Sequence, residues 1–295
     1  MHNQIKTYEL NNQSNEKIDF VLKKIEDLYD KFNGIKDAAH RHDYYTIVLV
    51  KNGTGTHTID FKEFPIKDYS LHFVYPGQVH QFITTERPLG WVLNFSPVFL
   101  VQNNISQDII NRVYLYNVSG DSPPLNISKN EFEPFENFVK QIETYNTKNI
   151  TYKYEAAGAL LKLLFIQTTT ICSLQINNTI SAGTGVNNLL INFKTKIEKQ
   201  FQSSHKVSEY AADLAVSSDY LNKYIKAQTG KSAKEFIQER IILEAKRLLL
   251  FTDKSNKELA YQLGFEEPAH FSNFFKKITD TTPGKFRQNH HTITE

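Results

Sequence analysis

The apolar positions of this 295-residue chain keep two different periods. From Tyr44 to Phe95 they gather in short aromatic and β-branched runs. These are Tyr44–Val50, Thr56–Phe61, Leu71–Tyr75, Val79–Thr84 and Trp91–Phe95, and they predict strands. Asn52-Gly53 supplies a turn after the first run, and Pro76-Gly77 and Pro88 with Gly90 punctuate the later ones. Strands this short and closely spaced predict a small sandwich or barrel. Elsewhere apolar residues recur every three or four positions. Ile18, Val21, Leu22, Ile25 and Leu28 predict a helix over Ile18–Phe32, and Ser106–Tyr116 is a less regular candidate. Ser128 with Glu131 has capping-box spacing, and Phe132, Phe135, Val139 and Ile142 behind it make one stripe. Tyr154, Ala157, Leu161, Leu164, Phe165 and Thr168 make another over Thr151–Ile171. Periodicity reveals an apolar face and not its partner, so these two helices either cover the barrel or pair with another subunit.

Gln175–Asn188 breaks the pattern. It is rich in Asn, Ser, Thr and Gly, buries little apolar surface, and reads as a linker. The expected organisation is a sensor or dimerisation domain over 1–174, a linker over 175–188 and a helical domain over 189–295. Helices are expected at Leu189–Phe201, at Val207–Ala215 and from Ser217-Ser218 to about Gln228, closed by Gly230. Ser232 with Glu235 opens a long helix to about Leu250. Ser255 with Glu258 opens the next, which Gly264 stops. The last expected helix runs from about Glu267 to Thr279, with Pro283 forbidding its extension.

Inside Val207–Arg287 the pattern repeats. Leu221, Ile225, Lys226, Thr229 and Gly230 return fifty positions later as Phe271, Phe275, Lys276, Thr279 and Asp280, while Ala211 and Leu214 return forty-nine later as Ala260 and Leu263. Two copies are too few for a solenoid, which needs about three repeats to bury its faces. They suit two helix-turn-helix units, in which a support helix packs through small and apolar residues and a second helix turns a polar face to the DNA major groove. Leu221, Tyr224 and Ile225 would face inward and Ser218, Asp219, Asn222 and Lys223 outward. In the second copy Phe271, Phe274 and Phe275 would face inward and Glu267, His270 and Asn273 outward. Lys226, Lys276 and Lys277 sit late on these helices, where phosphates are the natural partners.

Charge supports that division. The chain carries 34 Lys and Arg against 32 Asp and Glu. From Leu189 onward there are 17 basic and 13 acidic residues, which leaves 17 and 19 before it, so the positive excess sits in the helical domain. Cys172 is the only cysteine, which excludes a disulfide framework and a cysteine zinc site. Met1–Leu10 lacks an apolar signal core and no run approaches the roughly 18 apolar residues of a membrane span, so a reduced cytoplasmic setting is expected.

The helical domain resembles the AraC/XylS family of bacterial transcription regulators over about 100 residues. The fullest match carries Ala260, Leu263-Gly264-Phe265, Pro268-Ala269-His270-Phe271-Ser272, Phe274-Phe275-Lys276-Lys277, Thr282-Pro283 and Phe286-Arg287. Tyr210-Ala211, Ser217, Tyr220-Leu221 and Thr229-Gly230 match in the first copy, and Arg240, Ala245-Lys246 and Leu248-Leu249 in the joining helix. The resemblance implies two units reading adjacent major grooves on one face of DNA. It places Ser217, Ser218, Asp219, Asn222 and Lys223 on the first reading face, and Glu267, Pro268, Ala269, His270 and Asn273 on the second. Asp280 stands where the family usually has Gly, and Asn273 where Arg is frequent; Asn prefers adenine in bidentate geometry. The strands resemble this family's cupin-like sensor through His40-Arg41-His42 and Pro76-Gly77-Gln78-Val79-His80, with Thr46 about where metal cupins carry Glu.

The expected fold is therefore α+β in two domains: an N-terminal cupin-like β-barrel with flanking helices, and a C-terminal all-α double helix-turn-helix. The expected function is a sequence-specific transcription regulator that binds double-stranded DNA and senses a small organic effector, with a homodimer through the N-terminal helices and RNA polymerase as further partners. His42, Tyr44, His57, His72, His80 and Trp91 are the candidate effector contacts, although His57 and His72 could equally face solvent from the far side of their strands. No cofactor is assigned. Three histidines could hold a metal, but lining a pocket or making structural hydrogen bonds is the plainer role. No phosphate-binding loop, paired nucleophile or zinc-protease motif stands out, so no enzyme activity is expected. The rival readings are a metal-dependent cupin enzyme with a DNA-binding domain, and a ligand-independent dimeric regulator.

Overall fold

The computed structural model describes residues 7–10, 19–31, 34, 38–106, 109, 110, 113, 123–148, 150–179 and 187–290. They fall into two units, one within Lys6–Ser181 and the other within Ala182–Glu295. In chain order the first unit contains β1 (Thr7–Tyr8), β2 (Phe20–Lys24), α1 (Ile25–Lys31), β3 (His40–His42), β4 (Tyr45–Asn52), β5 (Gly55–Ile59), β6 (Lys62–Ile66), β7 (Ser70–Val74), β8 (Val79–Thr84), β9 (Leu89–Phe95), α2 (Pro97–Gln102), β10 (Leu125–Asn126), α3 (Lys129–Lys148) and α4 (Lys153–Thr179). The strands form two sheets, ordered β1-β3-β8-β5-β6 and β10-β7-β4-β9-β2.

Alternation sorts the side chains of the second sheet between two cores. Ile47, Leu49, Leu71, Phe73, Trp91, Leu93 and Phe95 share one core with Phe132, Phe135, Val139 and Ile142 of α3 and Ala157, Leu161, Leu164 and Phe165 of α4. Both helical stripes thus cover their own sheet. Tyr154 is the exception and lies 46% exposed. The opposite face turns Val48, Val50 and Val92 toward Ile66 and Phe82 of the other sheet, and this is the barrel interior.

Three expectations need correction here. Ile18–Phe32 is not one helix: Phe20–Lys24 is a strand in register with β9, from Phe20 opposite Phe95 to Lys24 opposite Trp91, and only Ile25–Lys31 is helical. The apolar spacing fits a helix, but pairing along β9 satisfies this backbone and buries Phe20, so tertiary context overrides the local period. Asn52-Gly53 does not join a hairpin, because β4 and β5 lie in different sheets. The chain crosses over there, held by Asp68 Oδ1, which accepts from Gly53 N–H (2.9 Å) and Asn52 Nδ2 (3.0 Å). The hairpin is β5–β6, turned by Asp60 and Phe61 at φ 45° and 70°; Phe61 reads as strand in sequence and Pro65 hides β6. Finally, α4 continues to Thr179, past Gln175 where composition starts the linker, because no Gly or Pro intervenes before Gly183. Residues 180–186 of the linker reading, and most of Ser106–Tyr116, lie outside the described residues.

The second unit contains α5 (Asn187–Gln200), α6 (Val207–Asp213), α7 (Ser218–Thr229), α8 (Ala233–Phe251), α9 (Asn256–Gln262), α10 (Pro268–Thr279) and α11 (Pro283–His290). The capping boxes at Ser232/Glu235 and Ser255/Glu258 form as their spacing predicts. Pro283 does end the previous helix but also begins α11, since its missing N–H costs nothing in a first turn. One core joins Leu221 and Ile225 of α7, Ile237, Ile241, Ala245 and Leu249 of α8, and Phe271 and Phe275 of α10. Arg240 of α8 lies 3.9 Å over the Phe201 ring and donates to Glu198 (2.8 Å) and Glu244 (3.0 Å).

Asp280 closes α10 at φ 57°, ψ 8°, a left-handed cap matching Gly230 at φ 74°, ψ −11°. The flanking bonds match as well: Thr229 donates to Ile225 O and Lys231 O, and Thr279 to Phe275 O and Thr281 O. The helix end is equally tight, at the cost of a side chain in a region that favours glycine. Asp280→Gly is expected to stabilise the unit by about 1 kcal/mol in urea denaturation, because the left-handed penalty disappears; a loss of stability would contradict this reading.

Candidate functional site

The two repeats fold onto one plan. In the first, Leu214 N–H bonds Tyr210 O (3.0 Å) and Val216 N–H bonds Ala211 O (3.0 Å). In the second, Leu263 N–H bonds Leu259 O (3.0 Å) and Phe265 N–H bonds Ala260 O (2.9 Å). Ala215 and Gly264 make the equivalent left-handed turns at φ 54° and 80°. α7 and α10 are each 12 residues long and bury matching positions, Leu221 with Ile225 and Phe271 with Phe275.

Their outer faces also match. Asp219, Tyr220, Lys223 and Lys226 of α7 are exposed, as are Ala269, His270, Asn273, Lys276 and Lys277 of α10, with Glu267 before it. Ser218 and Pro268 are half-buried at the helix starts. Ser217 is tied up as the cap of α7, accepting from Tyr220 N–H (3.1 Å). Asn222 leaves the reading face: its Oδ1 accepts from Ala233 N–H (3.2 Å), the first residue of α8, and its counterpart in α10 is Ser272 rather than Asn273. Tyr220, 54% exposed and opposite His270 in the repeat, takes a place on that face which the sequence reading did not give it. The fifty-residue offset already pairs Tyr220 with His270, so the signal was present.

In the first unit the barrel interior holds a line of imidazoles. His72 of β7 pairs Nε2 with Ser70 Oγ (3.1 Å) and Nδ1 with His57 Nδ1 of β5 (2.9 Å). His57 Nε2 meets His80 Nδ1 of β8 (3.0 Å), and His80 Nε2 lies 3.5 Å from His42 Nε2 of β3. His42 Nδ1 meets Thr46 Oγ1 (3.2 Å), and Tyr44 stacks on the His42 ring at 4.3 Å. His40 joins at the end, with its ring 4.4 Å from that of His80. Burial pushes His42 and His72 down to about 3, and drives His57 and His80 well below the usual histidine range, with neighbouring imidazoles adding to the shift. His42, Tyr44, His57, His72 and His80 thus gather in one place, and His57 and His72 point inward with no exposed surface. Trp91 does not join them. It belongs to the opposite face of β9 and packs in the core under α3 and α4, since alternation sends Val92 and Asn94 inward instead.

Residues 210–289 match the helix-turn-helix domain family, and residues 29–97 match the AraC-like ligand binding domain family. The chain is an AraC-family transcription regulator. This AraC-family regulator is 25% identical over 259 residues to the HTH-type transcriptional activator RhaS of Klebsiella pneumoniae, covering 87% of this chain and 89% of that one. To RhaS of Escherichia coli O139:H28 it is 26% identical over 257 residues, 84% of this chain and 87% of that one. Among solved structures, ToxT of Vibrio cholerae aligns over 92% of this chain and 98% of its own, at 14% identity and a TM-score of 0.42. The regulator thus combines a helix-turn-helix DNA-binding unit with an N-terminal ligand-binding domain, as its sequence led one to expect. No helix among the described residues is long and apolar enough to cross a membrane.

Proposed function

We propose that α7 and α10 enter successive major grooves, with Asp219, Tyr220 and Lys223 at base edges of one half-site and Ala269, His270 and Asn273 at the other. The matched exposed faces of two helix-turn-helix units with matching turns and buried positions carry this reading. Lys226, Lys276 and Lys277 lie toward the helix ends and meet phosphates. In a fluorescence-anisotropy titration of the full chain, Lys276→Ala is expected to weaken binding to every duplex alike and to lower the salt slope by about one. Asn273→Ala is expected to cost about 1–3 kcal/mol on the cognate site only. Asn222→Ala should lower stability without relaxing base preference. Equal losses on cognate and random duplexes for Asn273→Ala would overturn the assignment.

The barrel is read as the seat of a small organic effector that shifts the population of DNA-binding arrangements, with no enzyme activity. The match to a ligand-binding family supports it. The ligand-independent reading has one observation in its favour: His57 and His72 are wholly buried, so the regulator's own rings fill the middle of the barrel. A reporter strain screened against candidate inducers separates the two, since an effector must change expression and a dimerisation module must not. Leu163 and Ile166 lie on one face of α4, 47% and 45% exposed, and support a homodimer through that helix. The names of the relatives support transcriptional activation, and an activator working in the cytoplasm would have RNA polymerase as a partner.

A further inference from the structure

The turn of the second helix-turn-helix is held from outside its own copy of the repeat. The segment that follows α5 lies against it. His205 Nε2 donates to Leu263 O (2.9 Å), and the Gln202 carbonyl stands where a Cβ on Gly264 would fall. The His205 ring packs 4.8 Å from that of Phe265, which in turn meets Phe271 (5.5 Å) and Phe274 (5.2 Å) of α10. Direct contacts thus run from this segment to the inner side of the second reading helix.

The first copy shows that the turn does not need such support for its own sake. Ala215 makes the equivalent left-handed turn at φ 54° with a Cβ in place, and it is exposed. Glycine at 264 therefore answers the approach of Gln202 and not the backbone angle alone. Burial agrees, since Leu263 is fully covered while its counterpart Leu214 is half-buried. The bracing segment has its other anchor in the first copy. Tyr210 of α6, itself wholly buried, donates its hydroxyl to Ser204 O (2.8 Å). Asp213, at the end of α6, accepts from Lys196 Nζ (3.2 Å) and Gln200 Nε2 (3.0 Å) of α5. One short stretch is thus fastened to the support helix of the first unit and to the turn of the second, apart from α8.

We propose that His205 is a positioning residue for DNA recognition: it fixes the angle at which α10 is presented, so that the contacts of α10, and not those of α7, depend on it. This rests on the reading of α10 as the second groove reader. The lever is long enough to matter. α10 has 12 residues and is about 18 Å long, so a tilt of about 10° at its turn moves the end carrying Lys276 and Lys277 by about 3 Å. That is the length of a hydrogen bond, and it is enough to break a phosphate contact.

The test uses the full chain and a duplex that this chain selects from a random-sequence library, with each half-site then scrambled in turn. The half-site of α10 is the one whose scrambling cancels the effect of Asn273→Ala. His205→Phe keeps a packed ring and loses the donor, while His205→Gln restores a donor at similar reach. His205→Phe is expected to bind the selected duplex about tenfold more weakly. The loss should persist when the α7 half-site is scrambled and vanish when the α10 half-site is scrambled, and His205→Gln should recover most of the affinity. In the free chain, amide hydrogen exchange over residues 264–271 should quicken about tenfold in His205→Phe, with residues 215–221 unchanged. Circular dichroism checks that each variant is folded. Undiminished binding by His205→Phe, an equal loss with either half-site scrambled, or unchanged exchange at the second turn overturns the positioning role. A native chain indifferent to scrambling of either half-site would instead overturn the assignment of α7 and α10 to DNA, and the exchange measurement would still decide the brace.

Discussion

Alanine at position 264 is expected to abolish operator binding and to cost several kcal/mol of stability. Gly264 turns the second helix-turn-helix at φ +80°, and a Cβ there would overlap the Gln202 carbonyl. That obstacle is backbone and cannot rotate aside, and His205 Nε2 stands 3.4 Å away on the same side. The left-handed conformation alone penalises a side chain by about 1–2 kcal/mol, and the overlap adds to it. Gly230→Ala is the control. It shares a positive φ of 74° but meets nothing within 4 Å, so it should lose only about 1 kcal/mol. Urea denaturation and DNA footprinting of both variants decide the matter. A Gly264→Ala protein as stable as Gly230→Ala would show that the chain before α6 moves aside freely.

The barrel should also weaken in acid. An unfolded histidine titrates near 6.5, whereas His72, buried between Ser70, His57 and Phe82, is held down to about 3. Between these values the unfolded chain binds a proton that the folded chain refuses. Stability due to this residue is therefore complete above about pH 6.5 and falls as pH drops toward 3, by at most about 1.4 kcal/mol per pH unit. His72→Gln keeps a donor and an acceptor without a titrating group. With chelator present throughout, its stability measured from pH 6 to 4 should fall less steeply than the native chain's, by about that amount per unit. Parallel slopes would mean that His72 protonates without unfolding the barrel.

The DNA-binding unit was largely legible in the sequence because local chemistry sets it: capping serines with glutamates three residues on, stop glycines, and a repeat that doubles each signal. What local chemistry could not show is where a polar side chain finds its partner. Asn222 reads as a surface residue of α7 until α8 begins beside it. In the barrel, alternation leaves His57 and His72 able to face either side of their strands, and only the pairing of the sheets turns them inward beside His80. Alternation does not say which face of β9 is inside, and the structure sends Trp91 to the helix-covered face. β2 and β6 are not legible in the sequence because their pairing partners, and not their own patterns, make them strands.

If α7 and α10 read successive grooves as proposed, the clamps on α8 fix the spacing of the two readers. Asn222 grips the first N–H of α8, and at the far end Arg287 donates to Leu249 O (2.8 Å) and Lys254 O (2.6 Å). The helix between them has 19 residues and is about 28 Å long, a stiff bar a little shorter than one turn of DNA. One added residue in it would swing the second reader by about 100° around the bar. On the proposed reading α8 acts as a rigid gauge of operator length, and a base pair inserted between the half-sites is expected to weaken binding.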